Sequence, residues 1–447
     1  MTAQIKTMMC LNIIKITSKE EPATVNEKTI FSKDFTLVAI GQIISIFGNQ
    51  ILRYALPLYL LNQTGSSALF GTILAVSFIP MLLLFPIGGI IADRVNKRNI
   101  MVILDFGTAA LIFLFYLLAG KLAIVPLMAI TMMILYGIQG VYQPAVSASI
   151  PALVDKSRLM QGNSIVNMIN SVASMAGPVM GGILLSFFGL TTILALSIAC
   201  FFASAVMEIF IHIPFEKRQT SGNIFAIGFN DLKKSFHFMF REEPVLWKVS
   251  TIFASINLLL TSLVLIGHPV LITQRLGFSE SAANQLYGYA QGVLGAGAVL
   301  GGLLAGVLSK RLKAKISPLF IIGCALSILI GGVALQMLNS AVGIYIVLVI
   351  GGGLLVALST VFQIQMLSYL QILTPKDLIG KVIACFICLC MCAAPLGQFI
   401  YGLIFEKIGA HAYLLFYVAA FIMIAIAVFT RPIFYGIDSL TEKQTKA

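Results

Sequence analysis

Long apolar runs separated by short polar breaks dominate the chain. They fall near residues 35–61, 68–92, 99–119, 122–149, 164–187, 190–213, 247–273, 282–309, 316–338, 341–371, 379–404 and 411–433. Each is long enough to cross the hydrocarbon layer as a helix, which takes about 20 mostly apolar residues. Continuous runs, rather than short alternating segments, exclude a membrane β-barrel, and irregular backbone facing lipid would leave amides unpaired. The pattern therefore predicts an all-α membrane protein with twelve transmembrane helices. The one long break, residues 214–246, carries Phe225, Phe229, Leu232, Phe236 and Phe240 at helical spacing, with Lys233, Lys234 and Arg241 on other faces. It predicts an interfacial helix tethering two halves, residues 35–213 and 247–433, against lipid headgroups. Residues 1–34 and 434–447 read as tails. The short apolar stretch from Met8 to Ile16 is interrupted by Asn12 and Lys15 and does not make a signal peptide.

The halves repeat one another. At an offset of 217 residues, Gly89, Arg94 and Arg98 align with Gly306, Arg311 and Lys315, and Pro178 aligns with Pro395; Gly162 pairs with Gly380 at 218. Two parallel six-helix repeats are the arrangement in which a transporter rocks about a site near the membrane midplane.

Composition agrees with lipid as the main solvent: 59% of residues are hydrophobic and 10% charged, and the mean hydropathy is +0.99. The formal charge of +12 does not mark a nucleic-acid partner, because no basic patch interleaved with aromatics sits on a soluble domain. It marks orientation instead. Of 29 Lys and Arg residues, 25 fall in the tails, the loops and the adjoining run ends of one side; the other side has Lys121, Arg275 and Lys407, and Arg53 lies within the first span. This bias predicts that both termini are cytoplasmic. Of seven cysteines, all but Cys10 lie in apolar runs, so no extracellular disulfide framework is expected, and no metal site is expected at Cys385, Cys388 and Cys392, which lack a nearby histidine or carboxylate.

Polar residues inside the spans follow the helical period. Gln42, Ser45, Asn49 and Arg53 share a face of the first span, Tyr136, Gln139 and Gln143 of the fourth, and Asn163, Asn167, Asn170 and Ser174 of the fifth. Asn257, Thr261 and His268 do so in the seventh, and Asn284 and Gln291 in the eighth. Because polar side chains are costly in lipid, these faces are expected to turn inward and line a substrate cavity or bond other helices. Four ionisable residues are candidates for coupling or gating: Arg53, Asp105, Glu208 and His268. Glu208, near an inner end, is expected in a structural ion pair, and His268 at an outer end.

Two motifs carry mechanism. Gly88-Gly89-Ile90-Ile91-Ala92-Asp93-Arg94-Val95-Asn96-Lys97-Arg98, between the second and third spans, resembles the signature loop of the major facilitator superfamily. Gly89 would permit close helix approach, while Asp93, Arg94, Lys97 and Arg98 would latch the inner gate against the eleventh span near Asp377 and Lys381. The second copy has Lys310 where the first has Asp93, which implies a latch on one side only. Gly177-Pro178-Val179-Met180-Gly181-Gly182 in the fifth span resembles the core of a motif found in exporters of this superfamily, where a proline kink and close-packed glycines would seal the outer end. Phe47-Gly48-Asn49, Ala55-Leu56-Pro57-Leu58 and Thr64-Gly65-Ser66 are similar to the first span of its macrolide-efflux branch.

This resemblance implies secondary active efflux of a small amphipathic drug or metabolite across the cell membrane by a monomer. It implies a proton gradient as the energy source and no cofactor, with membrane lipids as the other partner. The alternatives are a lipid, lysophospholipid or siderophore transporter, and, further off, a non-transporting membrane sensor. No Ser/His/Asp grouping, paired catalytic carboxylates or metal motif suggests an enzyme. If the signature loop is a latch, Asp93→Asn should lower substrate transport in inverted vesicles, read as uptake into them, by about tenfold, the scale of one lost charged hydrogen bond. Membrane insertion should stay intact; unchanged uptake would refute the latch.

Overall fold

The computed structural model describes residues 32–155, 158–213, 237–308, 312–375 and 378–446, and these are almost entirely helical, with no strand among them. The first half starts with α1 (Lys33–Thr64), α2 (Ser67–Arg94), α3 (Lys97–Leu118) and α4 (Ile124–Leu153). Polar residues in the breaks set the helix starts: Ser32 accepts from the Phe35 amide at 3.2 Å, Ser66 from Leu69 at 3.1 Å and Asn96 from Arg98 at 3.0 Å. One helical stretch then runs from Leu159 to Ile209 and is interrupted at Gly189, whose φ of 71° suits only glycine without strain. It comprises α5 (159–188) and α6 (190–209). Among the described residues, the eleven apolar stretches long enough to span a membrane are therefore twelve spans.

The second half holds α7 (Pro244–Arg275), α8 (Glu280–Leu308), α9 (Ser317–Met337), α10 (Ala341–Leu373), α11 (Ile379–Ile408) and α12 (Tyr413–Lys446). α7 carries π-helical turns at Asn257–Thr261 and Leu271–Arg275. At the first of these the Ser262 hydroxyl reaches the Asn257 carbonyl at 2.8 Å and the Ala394 carbonyl of α11 at 3.0 Å, satisfying backbone that the wider turn disturbs. Two expected boundaries move. The tail from 434 continues α12, because Phe434 and Ile437 are buried and Phe434 meets the Phe362 ring at 6.0 Å. Of the expected interfacial helix, residues 214–236 lie outside the described residues; Phe240 belongs to a π turn over Phe238–Glu242 and sits on Trp247 at 3.8 Å.

Large side chains such as Phe187, Val307, Met337 and Phe429 are 67–83% exposed, which suits a lipid belt. Glycine governs how the halves meet. A Cβ added to Gly71 of α2 would lie 2.5 Å from the Gln398 carbonyl oxygen and 2.9 Å from Gly402 Cα of α11. A Cβ on Gly288 of α8 would lie 2.8 Å from the Pro178 carbonyl oxygen and 3.3 Å from Gly182 Cα of α5. Backbone therefore packs on backbone at both contacts. Gly71 and Gly288 are themselves 217 residues apart, so the repeat supplies the same device twice.

Five helical turns on, at 18 residues, the same faces of α2 and α8 present Gly89 and Gly306. No described atom lies within 4 Å of where a Cβ on either would stand. Phe85, Met168, Leu303 and Cys388, farther along the contact faces of α2, α5, α8 and α11, are exposed. The halves are thus packed together at the end holding Gly71 and Gly288 and splayed at the end holding the basic 2–3 loop.

Candidate functional site

Between the packed end and the splayed end lies a cavity of about 270 Å³ with walls from both halves: Gln50, Arg53 and Tyr54 of α1, Phe78 of α2, Tyr136 of α4, Pro178 of α5, Leu265 of α7, Tyr287 and Gln291 of α8, and Gln398 of α11. Its size approaches the lower end of small-molecule sites. The polar face of α1 puts Arg53 into it, where the guanidinium donates to Gln139 Oε1 at 2.9 Å and lies over the Tyr136 ring at 4.4 Å. Tyr136 in turn packs against Phe78 with centroids 5.1 Å apart. On the other wall Tyr54 and Tyr287 stack at 5.1 Å across the two halves, and Gln291 donates to the Tyr287 hydroxyl at 2.8 Å. Gln398 is buried, and its Oε1 has no hydrogen-bond donor among the described residues.

Toward the splayed end, Gln139, the acceptor of the Arg53 bond, lines a second space of about 20 Å³, together with Asn49, Asp105, Tyr142 and Gln143. That is room for about one water. Here four helices converge. Ser45 of α1 donates to Asp105 Oδ1 of α3 at 3.1 Å; Gln42 of α1 donates to the Tyr142 hydroxyl of α4 at 2.6 Å; that hydroxyl donates to Glu208 Oε1 of α6 at 3.0 Å. α6 packs directly on α1 here, with the Ser204 hydroxyl donating to the Gly41 carbonyl at 3.1 Å. Asp105 Oδ2, Glu208 Oε2 and Gln42 Oε1 are buried without a partner. All three are acceptors, so the cluster is short of donors. Leaving such groups unsatisfied is costly, and a proton on either carboxyl supplies a donor.

The expected cavity residues thus divide. Tyr136 and Gln291 line the central cavity; Asn49, Gln139 and Gln143 line the small carboxyl pocket; Gln42 is buried in the hydrogen-bonded cluster. Asn167 is exposed, Asn170 donates to the Val166 carbonyl at 3.0 Å and Asn257 to the Phe253 carbonyl at 3.4 Å, so the structure does not gather these three at either space. Glu208 is tied to a tyrosine hydroxyl, where an ion pair was expected. His268 lies seven residues before the end of α7 at Arg275 and is packed inside the second half, with its Cε1 2.7 Å from where a Cβ on Gly352 of α10 would stand.

The motifs sort by end. In Gly177-Pro178-x-x-Gly181-Gly182, a Cβ on Gly177 would meet Gln50 Cβ at 2.5 Å, one on Gly181 would meet Tyr54 Cδ1 at 2.8 Å, and one on Gly182 would meet the Asn284 carbonyl oxygen at 2.7 Å. The run seats α5 against α1 and α8 at the packed end. In the signature loop it is Gly88, not Gly89, that makes a close approach within its half: a Cβ on it would lie 2.6 Å from the Gly140 carbonyl oxygen of α4. Gly89 and Arg94 lie at the splayed end, Asn96 caps α3, and Arg98 Nε is buried without a partner. The Asp93 side chain and its expected counterparts, Asp377 and the Lys381 side chain, lie outside what the structure describes.

Sequence reasoning missed the clasp at the packed end. Glu406 of α11 accepts from the Ser66 and Ser67 hydroxyls and the Ala68 amide at 3.2, 3.1 and 3.1 Å, placing a carboxylate on the N-terminus of α2 across the halves. Between α1 and α8, Tyr54 donates to the Asn284 carbonyl, and Asn62 donates to Asn284 Oδ1 at 2.9 Å. The only signal for Glu406 was an acid at the end of an apolar run.

A family model described as Major Facilitator Superfamily matches residues 38–397. Among curated proteins, the chain is 24% identical over 298 residues to the uncharacterized MFS-type transporter YfiS of Bacillus subtilis strain 168, covering 64% of this chain and 66% of that protein. It is 23% identical to macrolide efflux protein A of Streptococcus pyogenes, covering 40% and 45%, and 29% identical to the enterobactin exporter EntS of Shigella boydii serotype 4, covering 34% and 37%. These matches span less than two thirds of the relatives' own lengths. Among solved structures, a bacterial homolog of the human lysosomal transporter Spinster superposes with a TM-score of 0.67 at 15% identity, covering 93% of this chain and 98% of that one. The nucleoside transporter NupG superposes with a TM-score of 0.70 at 13% identity, covering 90% and 99%. The structural likenesses show the fold.

If Glu406 clasps the packed end, Glu406→Gln should shift the balance toward opening there by about fivefold, the scale of an exposed charge at a helix terminus. Spin-label distances between the α1–α2 and α11–α12 loops should lengthen or broaden. Distances unchanged from wild type would show that the glycine contacts hold this end alone.

Proposed function

The chain belongs to the major facilitator superfamily of membrane transporters, and from that premise we propose that it exports a small amphipathic drug or metabolite by alternating access. The observation that carries this reading is the cavity of about 270 Å³ built by both halves, between an end closed by glycine contacts and an end that gapes. With the basic loops on the cytoplasmic side, by the bias of Lys and Arg, the cavity opens inward and loads from the cytoplasm or inner leaflet. Closing would bring Gly89 of α2 and Gly306 of α8 toward the other half. Five turns before Gly402 and Gly182, α11 and α5 have the small residues Ala384 and Ser164, which keep a second pair of close approaches open. Export as the direction is supported by the exporter-like glycine–proline run at the packed end and by relatives named for efflux.

For energy, the carboxyl cluster is the proton carrier. Asp105 and Glu208 each keep one buried oxygen without a donor, and Gln139 lines their pocket while accepting from Arg53 of the substrate cavity. A proton arriving or leaving there alters hydrogen bonding among α1, α3, α4 and α6, all of the first half. The protein acts as a monomer in the cell membrane and uses the proton gradient without a cofactor. A lipid substrate is a second reading favoured by one feature: an apolar groove of about 480 Å³ between α2, α3 and α4, walled by residues such as Pro80, Leu84, Leu104 and Ile134.

The test takes a compound identified by a growth-protection screen and follows pH inside proteoliposomes as that compound is added. Addition should drive proton movement in the wild type and in His268→Ala, while Asp105→Asn and Glu208→Gln should give the trace of protein-free vesicles. Full proton flux in both carboxyl variants would refute the coupling assignment. Movement of lysophospholipid, with none of the soluble compound, would favour the lipid reading.

A further inference from the structure

The central cavity holds one charged side chain among the described residues that line it, Arg53. Its partners are neutral: the Gln139 amide oxygen at 2.9 Å and the face of Tyr136 at 4.4 Å. The nearest carboxyl cluster does not neutralise it. Ser45, the α1 residue that holds Asp105, is eight positions from Arg53 and so about 12 Å away along the helix. Asp105 and Glu208 spend their contacts on Ser45 and Tyr142. A guanidinium held within a membrane span by neutral groups is costly unless a counter-charge reaches it.

The aromatic walls do not make up a cation site in compensation. Arg53 already covers Tyr136, and Tyr54 and Tyr287 are stacked on one another. Opposite, Gln398 offers a buried acceptor oxygen with no donor.

We propose that the molecule seated here is an organic anion: an apolar body bearing a carboxylate, sulfonate or phosphate that pairs with Arg53, and a hydroxyl or N–H group that donates to Gln398. This rests on reading the cavity as the transport site, and it narrows the substrate class within that reading. Arg53 then does two things. It recognises the acid, and through Gln139 it touches the pocket where the proton is carried, so arrival of an anion at one bears on the other.

Three dansyl probes of nearly equal size separate the possibilities: dansylglycine, which is anionic; its neutral amide; and the cationic dansyl ethylenediamine. Fluorescence titration of the full-length protein in detergent should show dansylglycine binding about tenfold tighter than the amide, the scale of one charge-assisted pair. The cation should bind weakest. Salt should erode the preference, Arg53→Lys should keep its sign, and Arg53→Gln should bring the three probes within about threefold of one another. Thermal unfolding of each variant reports on folding, and the wild-type ranking stands as a test without them. Equal or tighter binding of the amide or the cation by the wild type, no binding of any probe, or a preference that survives in folded Arg53→Gln would overturn the proposal. Export of a neutral or cationic compound alongside such a result would leave the transporter reading intact and remove only the anion.

Discussion

Backbone contact across the two halves is the constraint on which the rest of the structure depends. Where Gly71 meets Gly402, and where Gly288 meets Pro178 and Gly182, there is no room for a Cβ, so each contact is set by helix axes and not by adaptable side chains. Lipid gives apolar helices little reason to associate, and close approach with good packing supplies it. Two such contacts, related by the repeat, make one end of the molecule a hinge line. They leave the other end free to splay, with the matching glycines Gly89 and Gly306 facing open space.

The cavity and the carboxyl cluster follow from that geometry. A pair of halves joined at one end encloses a space near the middle, and the polar faces of α1, α4 and α8 must face it because lipid is the alternative. Arg53, Tyr136 and Gln291 line it, while about two to three turns along α1 toward the splayed end Gln42, Ser45, Asp105, Tyr142 and Glu208 interlock inside the first half. Gln139 joins the two. The central cavity and the carboxyl pocket are therefore separated by a single side chain. Glu406 adds a charge-based clasp at the packed end that the glycines lack. Such a clasp can be released without repacking a core.

Much of this is legible in the sequence, and the remainder is not for definite reasons. Twelve apolar runs give twelve spans because the bilayer fixes the length of a helix that must satisfy its own backbone. The offset of 217 residues that pairs Gly89 with Gly306 also pairs Gly71 with Gly288, so the cross-half device could have been read from the same repeat. Helical period says which residues share a face but not which helix that face meets. It placed Asn257 and His268 on a polar stripe, whereas the structure turns His268 onto Gly352 inside the second half and closes Asn257 onto its own helix. Glu208 looked like half of an ion pair because its partner, Tyr142, is 66 residues away on another helix and carries no charge. The tail from 434 reads as polar, yet Phe434 and Ile437 keep α12 packed past the apolar run.

The central claim is that the molecule opens at one end only while the glycine contacts close the other. It is tested most directly by electron-resonance distances in a cysteine-free background, with one label pair at the basic ends of α5 and α8 and one at their opposite ends. The same sample is measured at two pH values and with a transported compound. The account predicts a long distance at the basic end with a short one at the other in the resting protein, and opposite changes in the two pairs when the balance shifts. Distances that lengthen together, or a resting protein already open at the Gly71–Gly402 end, would contradict it.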